Sequence, residues 1–299
     1  MERLKSEVKR RFLVSSESVR LFHGRGHCFP GLEDVLIDWF EPVVLITLYE
    51  KRDRLWLSEL VDFLRTVLKG LKGVILQERF LKFSPSRILF GELPEEVDAI
   101  ENGLKYRLLM NKAQNVGYFP DMALVRSVVR DQAPGKNVLN LFAYSCSFSV
   151  AAIAGNARQV VNLDMNRNAL ALGKLNHQIN HLDLRKASFL RLELFRSFSR
   201  LKKLAPFDLI ICDPPAEQGR SFCAEKHWSK LVTKLPALIQ PGGELMACLS
   251  SPHLSPNDLQ ELFSNYCPQA QLLRTIRAGE NFPEISSDKG LNVLHYQFD

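Results

Sequence analysis

Beyond about residue 110 the chain alternates between short apolar runs and longer segments of helical spacing. The apolar runs fall at 138–142, 159–164, 188–190, 207–212, 243–249, 272–276 and 292–297. Helical patterns begin at Asp121, Ser147 and Glu193 and cover 166–180, 224–238 and 256–266. Most of these strands are apolar throughout rather than every second residue, which predicts burial on both faces and hence a largely parallel sheet flanked by helices. Ser255, followed by Pro256 and Asp258, caps the last helix, because proline suits the first helical position.

The pattern before residue 110 differs. A strand at 43–49, an amphipathic helix at 55–71 and strands at 73–78, 87–90 and 104–109 predict a smaller mixed α/β domain. Breakers at Pro94-Glu95-Glu96 and Glu101-Asn102-Gly103 precede the change of pattern. The expected domains are therefore 1–112 and 113–299, in an α/β protein whose second domain holds a mostly parallel sheet of seven strands.

Composition narrows the function classes. At 299 residues and 46% hydrophobic the chain can bury two cores. A net charge of +6 fits an anionic partner such as nucleic acid, as it also fits many enzymes of small metabolites. The six cysteines have no paired spacing, so neither a disulfide framework nor a thiolate zinc site is expected. No run approaches the roughly 18 apolar residues of a membrane helix. A cytoplasmic protein without membrane or metal partners is expected. His23, His27 and Cys28 lie close together at a turn but lack a fourth ligand.

In such sheets, sites lie beyond the carboxyl ends of the strands, where the first strand's neighbours diverge. The strand at 138–142 leads through Ala143-Tyr144-Ser145-Cys146 into a helix. Asp164 ends the next strand, placed either to accept both hydroxyls of a ribose or to cap the following helix. Glu193, after the third strand, could accept from an adenine amino group or offset the dipole of the helix it begins. Asp213-Pro214-Pro215 follows the strand 207–212 directly. The three together suggest a methyltransferase.

Taken with Val116-Gly117-Tyr118-Phe119-Pro120-Asp121 and Arg20-Leu21-Phe22-His23-Gly24, the segments Asn140-Leu141-Phe142-Ala143-Tyr144, Leu163-Asp164-Met165-Asn166 and Asp213-Pro214-Pro215 resemble the class I S-adenosylmethionine-dependent methyltransferases of bacterial large-subunit ribosomal RNA, of cytosine-5 or guanine-7 type. The resemblance implies a Rossmann-like methyltransferase domain, S-adenosylmethionine as cofactor and ribosomal RNA as partner. It implies a smaller domain used in RNA recognition, and leaves no room before residue 20 for the RNA-binding module common in relatives. It places Phe119, Asp121, Asn140, Phe142, Tyr144, Ser145 and Met165 at the cofactor, Asp164 at its ribose and Glu193 at its adenine. Asp213, at the cofactor too, opens the methyl-transfer segment with Pro214 and Pro215. Relatives carry two glycines where this chain has Cys146 and Ser147, whose side chains must then point away from the cofactor.

Methylation at carbon 5 of cytosine needs a thiolate to add to the ring. Cytosine-modifying relatives hold that cysteine where this chain has Ser250. Cys248, two residues earlier on the same strand face, reads as a buried thiol, as does Cys212. Guanine N7 already has a lone pair and needs only positioning, so transfer to a base nitrogen is the expected reaction. Exocyclic amino methylation usually places an aromatic after the Asp-Pro-Pro turn; here Ala216 and Glu217 follow, with Phe222 as the nearest substitute. Arg220, Lys226 and His227 lie near the expected mouth of the site, where they could meet phosphate or simply face solvent. Arg185, Lys186, Arg191, Arg196, Arg200, Lys202 and Lys203 form the strongest basic cluster, with Arg3, Lys5, Lys9, Arg10 and Arg11 as a possible arm. A degenerate methyltransferase fold that binds RNA or a protein without catalysis is the alternative, permitted by the lost glycines.

Overall fold

The structure is a computed structural model, and it describes residues 1–13, 17–110, 114–219, 221–249, 251 and 253–299. Ser250 and Arg220 lie outside the described residues. The chain divides into two compact units, one of Met1–Asp121 with Gly279–Ser287, the other of Met122–Ala278 with Asp288–Asp299. Residues 114–121, expected in the second domain, cluster with the first, and so does a stretch from near the carboxyl terminus.

In the first unit, helix α1 (Glu2–Leu13) precedes strands β1 (Val19–His23), β2 (Val35–Phe40) and β3 (Val43–Leu48). Helix α2 (Arg54–Val67) connects β3 to its parallel neighbour β4 (Gly73–Glu78), and β5 (Ser86–Gly91) closes a sheet of order β1-β2-β3-β4-β5. Asp53 caps α2, its carboxylate accepting from the Trp56 N–H at 2.8 Å. A hairpin of β6 (Asp98–Glu101) and β7 (Leu104–Arg107) turns through Asn102-Gly103, both at positive φ.

The basic start is a helix and not a free arm. Leu4, Val8 and Arg11 recur at one-turn spacing and are buried in the first unit's core. Arg11 is held by the Arg20 and Asn281 carbonyls at 3.2 and 2.6 Å and by Glu7, and Lys5 is paired with Glu59 at 2.7 Å. Buried Arg11 is not available to RNA, and Lys5 is engaged by Glu59. Of the three possible metal ligands, His23 accepts from Arg20 at 2.8 Å and faces Glu284 at 3.2 Å, while His27 and Cys28 are exposed.

The second unit runs α3 (Ala123–Gln132), β8 (Asn137–Leu141), α4 (Ser147–Ala154), β9 (Gln159–Asp164), α5 (Arg167–Ile179), β10 (Ala187–Arg191), α6 (Phe198–Lys202), β11 (Phe207–Cys212), a short hairpin of β12 (Glu217–Gln218) and β13 (Phe222–Cys223), α7 (Ala224–Val232), β14 (Ile239–Leu249), α8 (Pro256–Tyr266), β15 (Ala270–Arg277) and β16 (Asn292–Phe298). Its seven-stranded sheet has the order β10-β9-β8-β11-β14-β16-β15. The first five in that order pair in parallel, and β16 pairs antiparallel with both β14 and β15. This is the mostly parallel α/β sheet expected from the apolar runs.

The order sets the position of the site. From β8 the chain steps outward to β9 and β10, then crosses back to β11 on the other side of β8, so the strand order reverses beside β8. The carboxyl ends of β8, β9, β10 and β11 therefore surround the crevice where ligands of such sheets bind. Ser255 and Asp258 form a reciprocal capping box at the start of α8, as their spacing predicts.

Candidate cofactor site

The turn after β8 is strained in a regular way. Phe142, Tyr144 and Cys146 all have positive φ, at 57°, 45° and 57°, so every second residue of a glycine-free turn adopts a backbone that glycine tolerates best. Asp164 holds this turn from the end of β9. One of its carboxylate oxygens accepts from the Tyr144 N–H and the other from the Asn166 N–H, both at 2.8 Å. The helix-capping role falls to Asn166, whose side-chain oxygen accepts from the Asn168 and Ala169 amides at 2.9 and 3.2 Å. Asp164 is thereby left with acceptor capacity beyond its two amides.

Cys146 occupies the first of the two lost glycine positions. Its side chain is buried against α5, where a Cβ built on Gly173 would lie 2.4 Å from the Cys146 sulfur and 2.8 Å from its Cβ. Gly173 thus supplies the volume that Cys146 fills. Burial pushes the Cys146 thiol well above its ordinary range, with the Asp164 carboxylate adding to the effect.

Beneath the turn runs a directed chain of buried hydrogen bonds that the sequence reading missed. His177 Nδ1 donates to the Gly173 carbonyl at 2.7 Å, so its Nε2 is an acceptor and takes the Ser149 hydroxyl proton at 2.9 Å. The Ser149 oxygen accepts from Asn162 Nδ2 at 3.0 Å, and Asn162 Oδ1 accepts from Asn140 Nδ2 at 2.9 Å. The chain ends at Asn140 Oδ1, which is buried with no hydrogen-bond partner. Asn176 adds a bond to the Ser145 carbonyl at 3.0 Å. The signal in the sequence is Asn162, a polar residue inside the apolar strand Val160-Val161-Asn162-Leu163. Burial holds His177 below the usual histidine range, which keeps it neutral and fixes the direction of the chain.

Met165 and Glu193 line one open cleft of about 670 Å³, together with Phe195, Arg196, His227 and Lys230. Glu193 also caps a turn, accepting from the Phe195 and Arg196 amides at 3.0 and 2.6 Å, but the helix expected to begin there starts only at Phe198, so Glu193 does not sit at a helix amino terminus. Asp213 leaves β11 beside the end of β8, its N–H 3.5 Å from the Leu141 carbonyl; Pro214 is buried and Pro215 half-buried. Phe142 is buried with its ring 4.9 Å from that of Phe222. Phe222 is itself almost wholly buried, so it cannot stack on an extruded base. Phe119 is exposed, and Asp121 sits in a short turn, Pro120–Met122, with Oδ1 buried and unpartnered; both belong to the first unit.

The thiols near the sheet are inaccessible. Cys212 and Cys248 are fully buried, and burial pushes the Cys212 thiol far up. Among the described residues no cluster of metal-ligating side chains occurs, and no helix is long and apolar enough to cross a membrane.

Comparison with known proteins places the chain. A relative from Bacillus subtilis, provisionally named ribosomal RNA large subunit methyltransferase YwbD, is 32% identical over 78% of this chain and 60% of its own length. Ribosomal RNA large subunit methyltransferase I of Yersinia pseudotuberculosis is 31% identical over 67% of this chain and 53% of its own. The chain thus spans little more than half the length of these relatives. The solved structure of SMU.776, provisionally described as a methyltransferase and complexed with SAH, superposes with a TM-score of 0.87 at 25% identity, over 99% of this chain and 79% of that one. The profile of one family, described as S-adenosylmethionine-dependent methyltransferase, matches residues 19–297. The chain belongs to the S-adenosylmethionine-dependent methyltransferase family.

Proposed function

We propose that the protein is an S-adenosylmethionine-dependent RNA methyltransferase, that its substrate is ribosomal RNA, and that it transfers the methyl group to a base nitrogen of guanine-N7 type. The observation that carries the choice of reaction is the burial of Cys248 and Cys212. Cytosine-5 transfer requires an accessible thiolate at the end of β14, and a fully buried thiol can neither ionise easily nor reach a base. A ring nitrogen with its own lone pair asks only for orientation and exclusion of water.

The residues present fit the cofactor. Asp164, held rigid by two amides, would accept from the ribose hydroxyls. Asn140 Oδ1, a buried acceptor with no protein partner, would accept from the ammonium of the amino-acid end. Met165 and Glu193 would border the adenine. When bound, S-adenosylmethionine supplies an electrophilic methyl group on a sulfonium. Tyr144 and Ser145 would shape the backbone toward the cofactor, with Phe142 packed beneath. Asp213, Pro214 and Pro215 would present a carboxylate and carbonyls to the incoming base. The buried chain from His177 to Asn140 positions the asparagine amide so that its oxygen, not its nitrogen, is the free end.

The smaller unit is proposed to recognise RNA. The alternative, a non-catalytic binding module, is motivated by the missing glycines, but the fit of Cys146 against Gly173 takes the first of the two side chains out of the turn. The test is methyl transfer from labelled S-adenosylmethionine to unmodified ribosomal RNA, followed by nucleoside analysis. The expected product is 7-methylguanosine; 5-methylcytidine would overturn the nitrogen assignment, and no transfer with cofactor bound would favour the binding module.

A further inference from the structure

The cleft that Met165 and Glu193 share with Phe195, Arg196, His227 and Lys230 has a charge that the cofactor does not explain. Its single carboxylate, Glu193, is occupied by two backbone amides. Arg196 and Lys230 have no carboxylate within ion-pair reach among the described residues. Lys230 Nζ rests 4.2 Å from the centre of the Phe195 ring, an arrangement that holds the ammonium at the cleft without neutralising it.

His227 adds a directed donor. Its Nδ1 accepts the Cys223 N–H at 2.7 Å, so a neutral imidazole carries its proton on Nε2. The imidazole is further fixed by packing against Phe195 and Phe222, at 5.7 and 5.6 Å between ring centres. Two unpaired cations and one oriented N–H donor therefore line the same cleft. S-adenosylmethionine contains no phosphate and carries one net positive charge, so these groups repel it rather than recruit it.

We infer that Arg196, Lys230 and His227 form a subsite for a backbone phosphate of the substrate RNA, placed beside the cofactor's adenine end and next to the β12–β13 hairpin that follows Asp213-Pro214-Pro215. The inference rests on the reading of this protein as an RNA methyltransferase. The chemistry is that of a phosphodiester: donors and positive charge with no base-reading geometry, which gives affinity and register but no sequence preference. The cluster Arg185, Lys186, Arg200, Lys202 and Lys203 contributes less specifically, since Arg185 is already tied to Asp183 at 2.9 Å.

The test uses the full chain and a mixed-sequence single-stranded RNA 12-mer as probe. Binding is measured across a salt series for the wild type, Lys230→Gln, and the double variant Arg196→Gln/Lys230→Gln. Each lost phosphate contact lowers the slope of log K against log salt by about 0.7 for single strands, so the double variant, which empties a single phosphate subsite, is expected to lose about 0.7. S-adenosylhomocysteine affinity, measured in parallel, is expected to change by less than about twofold, because that ligand has no phosphate to lose. An unchanged salt slope in the double variant overturns the subsite. Loss of S-adenosylhomocysteine binding in Lys230→Gln also overturns it, by assigning the lysine to the cofactor. Displacement of the RNA by inorganic phosphate at equal phosphate concentration would mark a free-anion site and overturn the assignment to a nucleic-acid chain. Absence of S-adenosylhomocysteine binding in the wild type would sink the methyltransferase reading instead, with the slope difference still measurable.

Discussion

Cys146 and Gly173 are complementary: the sulfur of the first fills the space where the second lacks a Cβ, and a Cβ on Gly173 would come within 2.4 Å of it. The pair explains how the Cys146 side chain is directed into the core behind the turn. The substitution that occupies the turn is accommodated behind it, in the α4–α5 interface. Strain remains in the backbone, where Cys146 holds a left-handed conformation at φ 57°.

Gly173→Ala is therefore expected to destabilise the protein by about 1–3 kcal/mol through overpacking, although alanine would otherwise favour a helix interior. Adding Cys146→Gly should recover most of that loss, because it removes the clashing atoms and relaxes the positive φ. Denaturant titration of the two single variants and the double variant checks this. Additive effects would show that the two side chains do not compete for the same space.

Asp164→Asn separates the aspartate's two roles. The asparagine oxygen can still accept from one of the two amides, so the fold should survive with a loss of about 1–3 kcal/mol. Affinity for S-adenosylhomocysteine should fall by about tenfold or more, the cost of replacing a charged acceptor for the ribose hydroxyls. Calorimetry on a sample with an intact melting transition reads it; an unchanged dissociation constant would remove Asp164 from the ribose.

His177 gives a pH dependence of definite sign. Burial lowers its folded pKa below the ordinary 6.5, so on acidification the unfolded chain takes up the proton first. The stability from the neutral ring is fully present above about pH 6.5 and is lost as pH falls from there toward the folded value. His177→Gln should flatten this part of the stability profile while lowering stability at neutral pH. A slope that persists unchanged in the variant would place its origin elsewhere.

Glu244 acts in the opposite range. Its hydrogen bond to His295 at 2.6 Å and its contact with Lys136 at 2.7 Å hold its carboxyl down at about 2, against an ordinary 4.5. The pair stabilises the fold above about pH 4.5, and that contribution, at most about 3 kcal/mol, is lost as pH falls toward 2. Glu244→Gln should reduce the slope of stability against pH between those values, as followed by circular dichroism.

Much of the second unit was legible in the sequence because its strands are buried on both faces. β9 and β11 match their apolar runs residue for residue, and α8 lies where its capping pattern sets it. The first unit was harder. α1 reads as a basic arm until Arg11 is seen to be buried along its stem, and β1, β2 and β6 were not read as strands. The excursion Gly279–Ser287, which joins the first unit although it lies between β15 and β16, leaves no trace in local periodicity because its contacts are distant in sequence. At the site, Asp164, Met165 and Glu193 were visible from their places after strands. Gly173, Ser149 and His177 were not, since their importance comes from packing against a turn more than twenty residues away or across a helix pair.

The measurement that bears most directly on the central claim is calorimetric titration of the purified protein with S-adenosylmethionine and S-adenosylhomocysteine. The complementary fit of Cys146 and Gly173, with Asp164 bracing the turn, predicts saturable binding of both with micromolar dissociation constants and one site per chain. A folded sample that shows no heat of binding at millimolar ligand would contradict the account and leave a methyltransferase fold without its cofactor.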